Sequence, residues 1–203
     1  NPSPYTLYGT GTYIVGKGEV AVIDPGPNIK SHIEAILKIT KSEKITHILV
    51  THTHSDHSPA AKPLAKETGA MVMGFGPHGN YEGGEEGADY DFDPPHKVVD
   101  GEIIKGLDWN LECIHTPGHT SNHICYNLLD TGAVFTGDHI MGWSTTVVSP
   151  PDGNMADYFR SLEKMFIRND KFYIPTHGSI IKNPKNFVKA LIGHRKMRES
   201  QIK

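Results

Sequence analysis

The first part of the chain alternates apolar and polar positions in short runs. Strand character runs through Tyr5–Tyr8, Gly11–Val15 and Val20–Asp24, separated by turns such as Gly16-Lys17-Gly18; Asp24-Pro25-Gly26 stops the third run. The period then changes. Ile33, Ile36, Leu37 and Thr40 recur at helical spacing within 29–40. Ile45–Thr51 is a short apolar run of the kind buried as a strand. Ser58-Pro59 reads as an N-cap followed by Pro at the first helical position, opening a helix to about Thr68. A strand follows at Ala70–Gly74, and later ones at Lys97–Val99, Leu107–His115, His123–Leu129, Ala133–Thr136 and Phe172–Pro175. Helices are expected over Asn154–Ile167 and from Asn183-Pro184 onward. Two sets of strands, each followed by helices, predict two packed sheets with helices outside, an α/β layered sandwich. We read residues 1–203 as a single domain.

Between the strand at Ala70–Gly74 and the next lies Gly76–Pro95. It holds Glu82, Glu85, Glu86, Asp89, Asp91 and Asp93 and no Lys or Arg. A connection of this length is usually functional or mobile.

Composition narrows the classes. The net charge is -3 with His neutral, so there is no global basic signal for nucleic acid or an anionic membrane. No apolar run approaches the roughly 18 residues of a membrane span. Two cysteines, Cys113 and Cys125, cannot staple a fold of this size, so they read as reduced, buried thiols and the chain as cytoplasmic. No signal peptide is recognisable, and the chain begins at Asn1.

The unusual count is thirteen histidines. Four metal-competent side chains fall within Thr51-His52-Thr53-His54-Ser55-Asp56-His57, directly after the apolar run Ile45–Val50. A loop at a strand end can turn several ligands toward one point, and His-x-His-x-Asp-His offers imidazole and carboxylate donors for two sites. Three further candidates share this setting of strand end and small-residue turn. They are His119 in Thr116-Pro117-Gly118-His119-Thr120, Asp138 after Thr136-Gly137, and His177 in Thr176-His177-Gly178. The glycine beside each is read as letting the backbone approach the metals. His32, His47, His115 and His194 are read as structural or exposed, and His78 and His96 as solvated. His123 is expected to pack near the site, and His139 is a candidate to touch substrate or a ligand.

In this order, Asp24-Pro25-Gly26, His52–His57, Thr116–Thr120, Gly137-Asp138 and Thr176-His177-Gly178 resemble the motifs of the metallo-β-lactamase superfamily along nearly the whole chain. The resemblance implies a four-layer αββα sandwich with metals at one edge. It implies His52, His54 and His119 on one ion, Asp56, His57 and His177 on a second, and Asp138 bridging. It places Asp24 behind the ligands, where a carboxylate can fix an imidazole's tautomer. All-nitrogen-and-oxygen ligation suits two Zn²⁺ per chain, with Mn²⁺ or Fe²⁺ also compatible. Two ions about 3.5–4 Å apart hold a hydroxide as nucleophile for hydrolysis. Asp56 and Asp138 are the expected catalytic carboxylates.

The bond cut is less defined. A true β-lactamase is disfavoured, because those members generally lack the bridging carboxylate that Asp138 supplies. A glyoxalase-II-like thioesterase has the same ligands, but its basic C-terminal residues have no counterpart here. Gly137–Thr146 and the tail His194–Glu199 are most like the branch that includes a single-strand endoribonuclease, in which the tail leads into a winged-helix domain that these residues do not contain. The expected substrate is therefore a small ester or thioester, or a phosphodiester such as single-stranded RNA. A mononuclear-iron persulfide dioxygenase is the alternative of another class, and a non-catalytic metal scaffold the remaining one. Oligomeric state is not indicated.

Overall fold

The computed structural model describes residues 1–201. The first sheet contains β1 (Tyr13–Lys17), β2 (Glu19–Ile23), β3 (Lys44–Leu49), β4 (Met71–Gly74) and β5 (His96–Lys97), in that spatial order. β1 and β2 form an antiparallel hairpin; β2 to β5 run parallel. Parallel neighbours need crossovers, supplied by α1 (Lys30–Ile39) between β2 and β3 and α2 (Ala61–Thr68) between β3 and β4. The second sheet orders β6 (Ile103–Lys105), β7 (Asn110–His115), β8 (Ile124–Leu128), β9 (Ala133–Gly137) and β10 (Phe172–Pro175) as 10-9-8-7-6. β6 to β9 form an antiparallel meander, and β10 pairs parallel to β9. α3 (Met155–Ile167) makes the crossover between β9 and β10, and α4 (Pro184–Ser200) follows β10.

Side-chain alternation fixes the layers. Ala21, Ile23, Leu49, Leu111, Cys113, Ile124, Tyr126 and Phe135 fill the space between the sheets. Val20 and Val22 point the other way, onto Ile33 and Ile36 of α1 and Leu64 of α2. Cys125, Val134 and Tyr173 face Tyr158, Leu162 and Met165 of α3 and Val188 of α4. The result is an αββα sandwich. Ile45 and Ile48 share the outer face although three residues apart, because β3 slips register against β2 at Val20/Ala21. Cys113 and Cys125 lie on opposite faces of neighbouring strands, so each is a buried, free thiol.

Four local expectations are corrected. Tyr5–Tyr8 is a turn, not a strand: the Leu7 amide donates to the Ser3 carbonyl (3.0 Å) and Ser3 Oγ accepts the Thr6 amide (3.1 Å). Local hydroxyl bonding of this kind competes with extended pairing. Ser58 does not cap α2. Its hydroxyl donates to Asp89 (2.5 Å), and Ala60 is the N-cap. The strand expected from Leu107 begins at Asn110, since Gly106 to Asp108 turn β6 into β7. β6 itself was not anticipated from the sequence; its three residues pair only with β7. Asn154 does begin α3, its side chain accepting the Ala156 and Asp157 amides, a cap worth about 1 kcal/mol.

Among the described residues no helix is long and apolar enough to cross a membrane.

Candidate metal centre

β3, β7, β9 and β10 all run in directions that bring their C-terminal ends to one edge of the sandwich. The loop after β3 carries His52, His54, Asp56 and His57; the segments after β7, β9 and β10 carry His119, Asp138 and His177. The structure brings all seven side chains together in two groups, His52–His54–His119 and Asp56–His57–His177, joined by a third triad, His52–His57–Asp138.

In the first group, His54 Nδ1 lies 3.0 Å from both His52 Nε2 and His119 Nε2. Two nitrogens each about 2.0–2.1 Å from one tetrahedral ion sit roughly 3.3 Å apart, so this triad fits a metal with little movement. The tautomers are set from behind. His119 Nδ1 donates to the Val147 carbonyl (2.6 Å), which leaves Nε2 as a bare lone pair. The Thr51 hydroxyl donates to Asp24 (2.7 Å), so it accepts from His52 Nδ1 (3.1 Å), and His52 Nε2 is bare too.

In the second group, His57 Nε2 lies 3.3 Å from Asp56 Oδ2, and His177 Nε2 3.4 Å from the same oxygen. His57 Nδ1 donates to Asp24 Oδ2 (3.0 Å) and His177 Nδ1 to the Gly9 carbonyl (3.2 Å). His57 Nε2 is buried without a hydrogen-bond partner. An orphaned buried nitrogen facing two carboxylates is what a cation site requires. Asp138 joins the groups. Its Oδ1 is 3.3 Å from His177 Nε2 and 3.7 Å from His57 Nε2, and its Oδ2 is 3.7 Å from His119 Nε2.

Asp24 is the common support. It is fully buried and accepts the Thr51 amide (2.7 Å), the Thr51 hydroxyl and His57. Its φ is +49° ahead of Pro25, a left-handed conformation costing on the order of 1–3 kcal/mol and concentrated at functional sites. Two other hydroxyls orient carboxylates: Thr10 donates to Asp56 Oδ2 and Thr176 to Asp138 Oδ1, each at 2.6 Å.

His123 packs against the site as expected. It stacks on His52 (5.1 Å), and its Nε2 accepts the amides of Asp138 (3.1 Å) and His139 (3.2 Å), which holds the turn that aims Asp138. His139 joins neither group and packs edge-on against Tyr158. His115 stacks on Phe75. His78, expected in solvent, is buried: it bonds Thr53 Oγ1 (2.8 Å) and meets the ring of Tyr90. The flanking glycines also act differently from the sequence reading. A Cβ on Gly137 would sit 2.6 Å from His123 Nε2, and one on Gly118 would sit 2.4 Å from Tyr158 Cα. They allow close packing of the protein that supports the ligands.

The electrostatics of the two groups differ. Burial, together with the neighbouring imidazoles, pushes His119 down to about 4 and His52 well below its usual range. Burial also opposes charge on His57 and His177, but carboxylates outweigh it. Asp56, Asp138 and Asp24 raise His57 well above the usual range, and bonds to Asp138 and Asp56 lift His177 to about 10. The carboxylates thus favour the protonated ring at both positions in the metal-free protein. In that form the His177 contribution to stability is complete below about pH 6.5 and fades as pH rises toward about 10. Metal entering the second group must displace these protons. Its affinity is expected to fall with falling pH across the neutral range, by up to about tenfold per unit for the His177 proton. His119, pushed down to about 4, contributes almost no such slope above about pH 5, and burial disfavours the protonated form of His52 as well. Chelator competition at several pH values, with proton release measured in parallel, checks this; equal slopes for the two ions would contradict it.

A family model described as the metallo-beta-lactamase superfamily matches residues 5–177. A beta-lactamase-like protein 2 homolog of Caenorhabditis elegans is 33% identical over 100% of this chain and 67% of its own length. An atrochrysone carboxyl ACP thioesterase of Cryptosporiopsis is 28% identical over 100% of this chain and 59% of its own. The crystal structure of ETHE1 from Myxococcus xanthus superposes with a TM-score of 0.70 at 25% identity, covering 91% of this chain and 80% of that one. The chain spans 59% to 62% of the length of the first curated relatives it matches.

Proposed function

The chain belongs to the metallo-beta-lactamase superfamily, and from that premise we propose that it is a dinuclear metal-dependent hydrolase acting on an uncharged ester or thioester, with zinc as its metal and water as its nucleophile. The observation that carries this reading is Asp138, whose two oxygens face different histidine groups. Bound metal of this kind supplies Lewis acidity and lowers the pKa of water toward about 7. The chain's own contribution is placement. Asp24 and Thr51 fix the bare nitrogens of His57 and His52. Asp56 and Asp138, held well below the usual carboxylate range against the opposing effect of burial by His57 and His177, stay ionised and can orient a water.

The preference for an uncharged acyl substrate comes from the cavity beside the second group. It measures about 770 Å³ and its wall mixes apolar side chains such as Tyr13, Ile29 and Trp143 with neutral polar ones such as Asn1, Ser31 and His32; among the described residues no Lys, Arg, Asp or Glu side chain lines it. Thr10 and Thr176, which hold the two carboxylates, form part of its wall. A polyanion would find no Lys or Arg side chain there, whereas an uncharged acyl group would meet apolar and neutral polar wall. The name of the Cryptosporiopsis thioesterase supports the same bond type.

The test is a parallel assay of zinc- and manganese-loaded protein on an aryl ester, an acyl thioester, a phosphodiester, single-stranded RNA and a β-lactam. Ester or thioester turnover is expected to exceed phosphodiester turnover by at least about 100-fold, roughly 2.7 kcal/mol of barrier. RNA cleavage without ester turnover would overturn the substrate reading. One iron per chain, with sulfur-dioxygenase activity, would overturn the dinuclear one.

A further inference from the structure

Outside the seven converging residues, His78, Glu85 and Asp152 place one ligand atom each within 4.8 Å of one another. They come from separate segments, His78 and Glu85 from the acidic 76–95 loop and Asp152 from the turn that precedes α3. His78 is 5% exposed and Asp152 4%. His78 Nε2 and Glu85 Oε2 are both buried and sit 3.3 Å apart, within ion-pair distance, yet neither makes a hydrogen bond. Buried polar atoms without partners are uncommon and costly, and here two of them face each other.

The surroundings are built rather than incidental. Thr53 Oγ1 accepts an Asn122 amide hydrogen (2.9 Å) and fixes the far side of the His78 ring at Nδ1 (2.8 Å). Asp152 accepts the Tyr81 hydroxyl on Oδ1 and the Ser121 amide on Oδ2, both at 2.7 Å. Each of those oxygens keeps a second lone pair for another partner. Glu85 Oε1 is 3.3 Å from His54 Nε2, so Oε2 is the oxygen left to face His78.

We propose that His78, Glu85 and Asp152 form a further divalent-cation site, distinct from the two histidine groups. One imidazole and two carboxylates suit zinc. Two negative charges balance the ion, and it satisfies both orphaned atoms at once. The site ties the acidic loop to the turn before α3, and through Glu85 it sets the loop against His54.

Zinc alone is the probe, and bound ions are counted by native mass spectrometry at saturating zinc. Glu85→Gln and Asp152→Asn keep shape and remove one ligand charge each; Asp152 belongs to neither of the two histidine groups. Each variant is expected to hold one ion fewer than wild type. A His52→Ala/His177→Ala variant, which damages both histidine groups, is expected to retain one ion. Equal stoichiometry in wild type, Glu85→Gln and Asp152→Asn overturns the proposal, whatever the total. The dinuclear reading fails separately, if the His52→Ala/His177→Ala variant keeps every ion.

Discussion

Asp138→Ala is expected to lower kcat/KM by about 10³-fold or more, roughly 4 kcal/mol of transition-state stabilisation at 1.36 kcal/mol per decade. No other residue among the seven has one oxygen toward His119 and another toward His57 and His177. Alanine therefore removes the connection between the groups while leaving each set of histidines in place. It also takes the counter-charge from two imidazolium rings, so the metal-free variant should melt below wild type. Activity is best compared well under that melting point, with metal content measured on the same samples. Retention of activity within tenfold would mean that Asp138 is a structural partner of Thr176 and nothing more.

Asp24→Ala is expected to destabilise the metal-free fold by about 3–5 kcal/mol, the range for removing one partner of a buried charged pair. Three donors lose their acceptor: the Thr51 amide, the Thr51 hydroxyl and His57 Nδ1. Alanine also tolerates φ near +49° less well than Asp does. Asp24→Asn separates charge from backbone, since Asn accepts the left-handed conformation. Its amide can satisfy only part of the donor set, so the fold should survive while metal affinity falls 10- to 100-fold, the usual effect of losing a ligand's supporting hydrogen bond. Urea unfolding of the metal-free proteins and metal titration of both variants measure these effects. If Asp24→Asn bound metal like wild type, Asp24 would matter to folding alone.

The convergence of the seven side chains was legible because each one combines a ligating residue type with an apolar run that ends at a turn. The layers were legible in outline, since two sets of strands, each followed by helices, pointed to two packed sheets with helices outside; the continuous apolar run Val20–Ile23 left the faces to the structure. The residues that orient the ligands were not. Thr10 reaches Asp56 across 46 positions of sequence and Thr176 reaches Asp138 across 38, and a threonine in a polar segment carries no mark of such a role. His78 read as solvated because it lies in the acidic loop; Thr53 and Tyr90, which enclose it, are not its neighbours in sequence. β6 escaped notice because three residues that pair with one neighbour leave too short a period to detect.

Each histidine group draws on both halves of the sandwich. His52, His54, Asp56 and His57 follow a strand of the first sheet, and His119, Asp138 and His177 follow strands of the second. An ion in either group is thus a cross-link between the two halves of the chain, closing loops of more than sixty residues, as His119 lies 65 positions from His54. Its binding energy cannot be separated from the docking of the sheets, because the unfolded chain offers no preformed site. Metal loading and the docking of the sheets would then be linked equilibria, and an ion at 100 times its Kd would add about 2.7 kcal/mol to the stability of the whole sandwich. The same groups placed for chemistry would serve as the clasp that keeps the two halves from parting.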